Sequence, residues 1–283
     1  MRASRMVAGT MAAVATLTAI VATAMSVTGA SPAPAIPAVR LLAATVPVRY
    51  VALGDSYAAG AGAGDVGSAQ GGCAHSADAY PAQWARHHGT ASFTTVACDG
   101  ATTSGVLHGQ LAALSARTSL VSITIGGNDA GFSHVMKTCV FEFWGNACQD
   151  AVASADAFIA GTLPGRLDAT LRAIRVRAPS ARVVVVGYPD LYDLSRSADC
   201  IGLSTARRTA LDRDADALDR ALSAAAARNG DVFADVRPEF AGHEICDPGN
   251  WLNSVAYPFG NSYHPTTAGQ ERGYLAAFAG AAA

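Results

Sequence analysis

Short apolar segments bounded by turn residues alternate with longer segments of helical periodicity along the chain. The segment RVVVVG, which ends at Gly187, is β-branched and continuously apolar, as a strand covered on both faces must be. Five strands are predicted, over residues 49–53, 93–97, 121–125, 183–187 and 231–236. Because strands that alternate with helices form parallel sheets, the pattern predicts an α/β fold, a three-layer α/β/α sandwich around a five-stranded parallel sheet.

Three helices are predicted between and after these strands. The clearest spans residues 203–228, where apolar residues recur at helical spacing opposite a charged face and Asn229-Gly230 supplies a stop. A second helix begins at about Leu163 and ends before Pro179, and a third covers residues 266–278.

The N-terminal segment has the composition of a secretory leader. Arg2 and Arg5 precede an apolar run that extends to about residue 27 and ends in small residues. This pattern predicts a signal peptide over residues 1–30, although the run is long enough to span a bilayer as an uncleaved anchor. Residues 31–45 are rich in proline and alanine and predict a linker, and residues 46–283 have the length of one domain. We expect the mature protein to be secreted, extracellular and monomeric.

Composition narrows the class of partner. The chain is 51% hydrophobic and 15% charged with a formal net charge of −2, so it lacks the basic surface that nucleic-acid binding requires. Six cysteines in an exported chain indicate disulfides rather than a metal site, and they allow fifteen pairings. We expect sequential pairing, because each bridge would then tie a loop to its neighbour along the chain. The expected bridges are Cys73 with Cys98, Cys139 with Cys148, and Cys200 with Cys246.

Polar corners that contain glycine follow the first three predicted strands, with the sequences GDSY, CDGATT and GGND. Ligands of parallel α/β sheets bind beyond the carboxyl ends of the strands, so the three corners should face one edge of the sheet. Ser56 follows the first strand and opens a helix, which would point its hydroxyl at this edge, although a serine there is also a common helix N-cap.

A serine nucleophile needs a neighbouring base. Of the seven histidines, His264 is the best candidate, because it lies in the turn-like loop NSYHPTTAG, where Pro265 can open the last helix. Acyl transfer also needs donors for an oxyanion. The backbone N–H groups of Ser56 and Gly100 and the side-chain amide of Asn128 would supply three.

These four blocks, in the order serine, glycine, asparagine and histidine, resemble those of the GDSL, or SGNH, hydrolases. The similarity covers about Val48 to Phe278 and is nearest to the secreted actinobacterial esterases and lipases, which commonly hold three disulfides. The resemblance implies a flavodoxin-like SGNH fold and a serine esterase or lipase. Such an enzyme hydrolyses carboxylic esters through an acyl-enzyme on Ser56, with His264 as general base and with no metal or organic cofactor.

Several readings of the same residues stay open. Phospholipase and carbohydrate-acetyl esterase activities use the same machinery, and a non-catalytic secreted binding module is conceivable. The substrate would be a small-molecule or lipid ester, and a lipid ester would bring transient contact with a lipid interface.

One position departs from the family pattern. Many members place an aspartate three residues before the histidine, whereas this chain has Asn261. The base needs an acceptor for its second ring N–H. We expect the main-chain carbonyl of Asn261 to serve, which would make the site a Ser-His dyad; Asp247 is an alternative acceptor.

Structural roles are also predicted for the turn around Ser56 and for the segment between Cys139 and Cys148. The run AAGAGAG after Ser56 should keep the space around the serine free of bulk for an acyl group, while Asp55 should tie down the turn through local hydrogen bonds. Phe141, Phe143 and Trp144, between Cys139 and Cys148, are expected to belong to the core, and the alternative is an apolar wall or lid beside the catalytic crevice.

Two motif matches are rejected. The sequence GAGDVG from Gly62 to Gly67 matches G-x-G-x-x-G but does not directly follow a strand, as a dinucleotide site requires. Asp212, Asp214 and Asp216 have the spacing of a calcium loop, yet the required glycine is absent and the segment has a strong helical period.

Overall fold

Five parallel strands form one sheet in the computed structural model of the chain. They are β1 (Arg49–Gly54), β2 (Ser92–Thr95), β3 (Leu120–Thr124), β4 (Arg182–Val186) and β5 (Val232–Ala234), in the order β2-β1-β3-β4-β5. Each pair of neighbours is parallel, with Val51 opposite Thr94 on β2 and Val121 on β3. The predicted five-stranded parallel sheet is therefore confirmed.

The structure describes residues 47–64, 72–142, 144–196, 200 and 202–283. The predicted leader and linker lie outside these residues. Within the described ranges, no helix is both long enough and apolar enough to cross a membrane.

Helices cover both faces of the sheet. They are α1 (Ser56–Ala59), α2 (Tyr80–His87), α3 (Thr103–Gly109), α4 (Phe132–Phe141), α5 (Ala147–Gly161), α6 (Leu163–Arg177), α7 (Thr205–Asn229), α8 (Arg237–Phe240) and α9 (Leu275–Ala282). The first group consists of α5, α6 and α7, which contact one another, and α7 packs against β4 and β5. The second group consists of α2 and α9, which contact each other, and α9 packs against the same two strands. The predicted helix over residues 266–278 is observed as a π-helical turn, Gly269–Tyr274, followed by α9.

The six cysteines form three disulfides, and each cysteine pairs with the next one along the chain, as predicted. Cys73–Cys98 joins the loop before α2 to the corner after β2, and Cys139–Cys148 joins the end of α4 to the start of α5. Cys200–Cys246 joins the loop before α7 to the loop after α8.

The end of β1 fixes the position of the serine. Gly54 has φ +126°, and a Cβ atom there would lie 2.3 Å from the carbonyl oxygen of Thr124 on β3, so a larger residue would push the two strands apart. The buried side chain of Gln110 binds both main-chain groups of Gly54: its Nε2 donates to the carbonyl and its Oε1 accepts from the N–H, each at 2.8 Å. Asp55 N–H then donates to the same Thr124 carbonyl at 2.9 Å. The chain therefore leaves the sheet in one defined direction.

Candidate active site

Ser56 is the first residue of α1, and Asp55 before it is the N-cap. The Asp55 carboxylate accepts the Tyr57 N–H at 3.0 Å and the hydroxyl of Tyr188 on the corner after β4. Burial raises the pKa of Asp55 to about 7, although these two hydrogen bonds oppose the rise. Asp55 therefore ties down the turn as predicted, and the Ser56 hydroxyl is not needed as a helix cap.

The Ser56 hydroxyl lies against the ring of His264. His264 Nε2 is 2.7 Å from Ser56 Oγ, across 208 positions of sequence. A hydroxyl at this distance from an imidazole nitrogen can pass its proton to the ring while its oxygen attacks an electrophile.

Main-chain hydrogen bonds bring the histidine loop to this edge of the sheet. Asn253 N–H donates to the His264 carbonyl and Tyr263 N–H donates to the Asn253 carbonyl, both at 2.9 Å, so the two segments run as a short antiparallel pair. The buried Tyr57 hydroxyl, on α1, donates to the Tyr263 carbonyl at 2.5 Å. The helix that carries the serine therefore also holds the loop that carries the base.

The glycine-alanine run after Ser56 allows this approach. Gly62 has φ +83°, and a Cβ atom on it would lie 2.8 Å from the His264 Cβ. Ala58, Ala59, Ala61 and Ala63 are buried as well. The prediction that the run leaves space for an acyl group is therefore wrong: its small residues are packed, and they let the histidine loop come close.

The protonation of His264 depends on burial and on nearby oxygens. Burial lowers the pKa of the ring below its usual 6.5. The charge of Asp99, on the corner after β2, raises it, as do the main-chain carbonyls of Ser262 and Gly260. Since burial is the largest of these causes, the pKa of the ring lies below 6.5 and the ring is neutral at pH 7.

The main-chain carbonyl of Asn261, the predicted acceptor for the second ring N–H of His264, does not bind the ring. The Asn261 carbonyl accepts the main-chain N–H of His264 at 3.3 Å, which makes it part of a turn. Among the described residues, His264 Nδ1 has no hydrogen-bond partner of normal geometry, and the carbonyls that favour the protonated ring are those of Ser262 and Gly260.

Asp247, the alternative acceptor, is engaged elsewhere. Its Oδ1 lies 3.2 Å from Arg196 Nε, and its Oδ2 accepts the Glu244 N–H at 3.0 Å. This leaves main-chain carbonyls as the groups positioned to orient the base.

The donors predicted for an oxyanion lie on three neighbouring corners. Within the described part of the chain, the N–H groups of Ser56 and Gly100 donate to no other group. Asn128 Nδ2 donates to the Ala101 carbonyl at 3.0 Å, which fixes the amide and leaves it a second N–H. Such donors can bind the negative oxygen of a tetrahedral intermediate.

The corners after β2 and β3 are tied together by Asp129. Its carboxylate accepts the N–H and the hydroxyl of Thr103, at 2.8 and 2.6 Å, and pairs with Arg166 at 3.2 Å. The loop that contains Gly100 is therefore held beside Asn128, and its donors are preorganised before a substrate binds.

Two spaces adjoin the serine and the histidine. The first is a narrow apolar cavity of about 60 Å³ between α4, α5 and α7, lined by Ser56 and Asn128 at the sheet and by Phe132 and Ile159 on the helices. The second is an open groove of about 740 Å³ whose lining includes His264 and Asp99. The narrow cavity therefore reaches the serine, and the wider groove, whose lining mixes polar and apolar side chains, reaches the histidine.

Phe141 and Trp144, two of the aromatic residues between Cys139 and Cys148, lie at the surface. Phe141 is 57% exposed and Trp144 is 90% exposed, so the prediction that they belong to the core is wrong. Among the residues of this segment that the structure describes, the bridged cysteines are the buried ones, and Phe141 and Trp144 between them are exposed. Phe141 lines the open groove, as the alternative of an apolar wall requires, while Phe143 lies outside the described residues.

The acidic triplet on α7 is used within the protein. Asp212 Oδ1 accepts the N–H groups of Leu191 and Tyr192 at 3.0 and 3.2 Å, and Asp216 pairs with Arg237 at 2.5 Å. No grouping of histidine, cysteine or acidic residues suited to a metal ion occurs in the part of the chain that the structure describes.

Two residues of the site were missed from the sequence. Tyr188 holds Asp55, and its hydroxyl also accepts the Gly127 N–H at 3.3 Å. Its position directly after a predicted strand was the available signal. Tyr57 lies in the GDSY corner after the first strand, but its partner Tyr263 is 206 positions away, so the sequence does not indicate their contact.

Comparisons with known proteins agree with this geometry. Residues 52–272 match the model of the GDSL-like Lipase/Acylhydrolase family. The chain is 50% identical over 234 residues to Lipase 1 of Streptomyces coelicolor, with 82% of this chain and 86% of that protein covered. It is 46% identical over 262 residues to a lipase of Streptomyces rimosus, with 92% and 95% covered.

Two solved structures of Streptomyces enzymes are similar to this chain in fold as well as in sequence. The crystal structure of the extracellular lipase from Streptomyces rimosus superimposes with a TM-score of 0.79 at 47% identity and covers 83% of this chain and 99% of that one. The crystal structure of phospholipase A1 from Streptomyces albidoflavus gives 0.80 at 48% identity, with 83% and 100% covered.

Proposed function

The chain belongs to the GDSL-like lipase/acylhydrolase family, and we propose that it hydrolyses carboxylic esters through an acyl-enzyme formed on Ser56. The observation that carries the proposal is the 2.7 Å contact between Ser56 Oγ and His264 Nε2. A base in contact with the hydroxyl is what a serine nucleophile requires.

The reaction proceeds in two halves. His264 Nε2 takes the Ser56 proton as Oγ attacks the ester carbonyl, and the carbonyl oxygen becomes negative among the N–H groups of Ser56 and Gly100 and the amide of Asn128. The intermediate collapses to the acyl-enzyme, and His264 gives its proton to the leaving alcohol. His264 then takes a proton from water, whose oxygen attacks the acyl carbon, and the acid leaves as Ser56 regains its proton.

A dyad is sufficient for these steps. The carbonyls of Ser262 and Gly260 stabilise the imidazolium and take the place that Asn261 was expected to fill. Neutral carbonyls stabilise the imidazolium less than a carboxylate would.

The substrate is the ester of a fatty acid, since an apolar cavity adjoins the serine. A phospholipid is the second candidate, because the chain is 48% identical to a protein described as a phospholipase A1. Turnover of acetyl, butyryl and longer aryl esters, a triacylglycerol and a phosphatidylcholine by the mature enzyme separates these classes from a carbohydrate-acetyl esterase.

Export completes the proposal. The chain would leave the cell through residues 1–30 and act as an extracellular monomer, in line with its three disulfides and with the description of the Streptomyces rimosus relative as extracellular. N-terminal sequencing of protein from the medium would give a start near residue 31.

Labelling with a fluorophosphonate tests the assignment of the nucleophile. The probe should attach to Ser56 in the native protein and fail to attach after heat unfolding, because it reacts only with an activated serine. A native protein that resists the probe would be the non-catalytic binding module instead.

We further propose that an exposed apolar surface beside the groove contacts the lipid interface. This surface, the aromatic rim, consists of Phe141, Trp144, Val255, Tyr257 and Phe259. Phe259 contacts the rings of both Phe141 and Tyr257, with ring centroids 6.5 and 6.3 Å apart. Because three of its members line the groove that contains His264, the rim would hold the groove against the lipid surface. Aromatic side chains are favoured at such interfaces.

The double variant Trp144→Ala/Tyr257→Ala tests the rim, since both residues are 90% exposed. Binding to phosphatidylcholine vesicles should weaken by roughly tenfold or more, because apolar area no longer enters the interface. Turnover of a soluble butyrate ester should stay within about twofold. Val176→Ser, which removes an 80% exposed apolar side chain on α6, is the matched control and should bind vesicles normally. Unchanged vesicle binding by the double variant would rule the rim out.

The pH dependence follows from the His264 environment. Only the neutral ring can accept the Ser56 proton, so kcat/KM should fall as the pH drops through the His264 pKa, below 6.5. Asp99→Asn removes a charge that raises this pKa and should move the acid limb to still lower pH. The shift should shrink in high salt, since Asp99 is exposed. Asp150→Asn on α5 is the control, and a limb that moves upward in Asp99→Asn would contradict this account.

A further inference from the structure

The apolar cavity beside Ser56 contains a carboxyl group that the reaction does not use. Two of the residues that line the cavity carry carboxyl groups, Asp55 and Asp214. Asp55 is held by Tyr57 and Tyr188 at the sheet. Asp214 belongs to α7 and takes no part in the turn that holds Ser56, so its role has to be sought in the cavity itself.

Asp214 on α7 has a second carboxyl group, that of Asp156, as its neighbour on α5. Burial, and after it the neighbouring carboxyl of Asp156 on α5, raise the pKa of Asp214 to about 8. Its Oδ1 atom is buried and has no hydrogen-bond partner among the described residues. Arg213 lowers the pKa only as the last of these influences. Asp214 therefore brings to the cavity lining a polar atom that no described residue satisfies.

The surroundings of this pair are apolar. Ala155 and Ile159 on α5 and Leu211 and Leu218 on α7 line the same cavity. An acyl chain bound with its ester at Ser56 would pass these side chains and then reach Asp214. Methylene groups placed against a carboxyl remove its remaining water and offer no hydrogen bond in return, which is unfavourable.

We propose that Asp214, supported by Asp156, sets the length of the acyl chain that the cavity accepts. The inference rests on the proposed function, because it takes the Ser56 acyl-enzyme as the point from which the chain is measured. Short acyl chains would end against the apolar side chains, and long chains would meet the carboxyl pair. Asp214 is then a specificity determinant that does not touch the reacting atoms.

The test compares chain-length profiles of two substitutions at this site. The enzyme and its Asp214→Leu and Asp214→Asn variants are assayed on monomeric p-nitrophenyl butyrate, octanoate and laurate. Leucine is apolar and close in size, so the ratio of laurate to butyrate kcat/KM should rise about tenfold or more. Asparagine keeps a polar group at the same place, so the ratio should stay within about twofold. Asp150→Leu, an exposed acid on the same α5 helix that does not line the cavity, should leave the ratio unchanged.

The outcomes separate this inference from the proposed function. Butyrate turnover that disappears in Ser56→Ala reports on the proposed function alone, whatever happens at residue 214. An active Asp214→Leu enzyme with an unchanged ratio, or an equal rise in the asparagine variant, overturns the inference. Where Asp214→Leu loses its fold, judged by its melting temperature, Asp156→Leu and Asp214→Ala carry the same test, and an unchanged ratio in both rejects the proposal.

Discussion

Ser56→Ala is expected to lower the turnover of a soluble aryl ester by roughly 10⁴- to 10⁶-fold while leaving the fold intact. The loss follows because alanine has no oxygen to form the acyl-enzyme. The fold should persist because Asp55 caps α1, and the Ser56 hydroxyl hydrogen bonds to His264 alone among the described residues. Steady-state kinetics together with a melting curve measure both effects.

Two residues that line the open groove beside His264 provide the controls for this prediction. Ser133 and His134 line it and are exposed, so Ser133→Ala and His134→Ala should retain nearly full activity. His264→Ala should lose activity to a similar degree as Ser56→Ala, and the double variant should be little worse, since the two residues act as a unit. A folded Ser56→Ala protein that keeps a tenth of the activity would reject Ser56 as the nucleophile.

Asn128→Ala should lower kcat by roughly 10²- to 10³-fold with little change in KM. The Asn128 amide is held toward the site by its bond to the Ala101 carbonyl, and its free N–H would meet the oxygen only once that oxygen becomes negative. The interaction is therefore made in the transition state rather than with bound substrate. Michaelis parameters on a butyrate ester separate the two cases.

Asn146→Ala is the matched control for this asparagine. Asn146 precedes α5, is exposed and caps the helix with no side-chain hydrogen bond, so its loss should leave kcat unchanged. If Asn128→Ala instead raised KM at constant kcat, Asn128 would be a substrate-binding residue and the oxyanion assignment would fail.

The sheet and its edge could be predicted because their signals are local. Most strands are short apolar runs, and polar corners that contain glycine follow the first three of them. His264 was found by composition and position, since it lies in a loop that precedes the last helix. Its contact with Ser56 depends on Asn253 and Tyr57, which no periodicity links to it.

The incorrect expectations concern packing between distant segments. The run AAGAGAG after Ser56 was expected to leave open space because glycine and alanine are small. In the structure their small size instead allows the His264 loop to approach closely. Phe141 and Trp144 looked like core residues by hydrophobicity alone. Their exposure follows from where Cys139 and Cys148 anchor the loop, and that is a property of the fold.

Trapping of the intermediate tests the central claim most directly. The enzyme is mixed with p-nitrophenyl butyrate, quenched in acid within the first turnovers, digested and examined by mass spectrometry. The account predicts a butyryl group on the peptide that contains Ser56, and its absence from the same peptide of His264→Ala. Rapid ester hydrolysis with the acyl group on another residue, or with none on the protein, would contradict it.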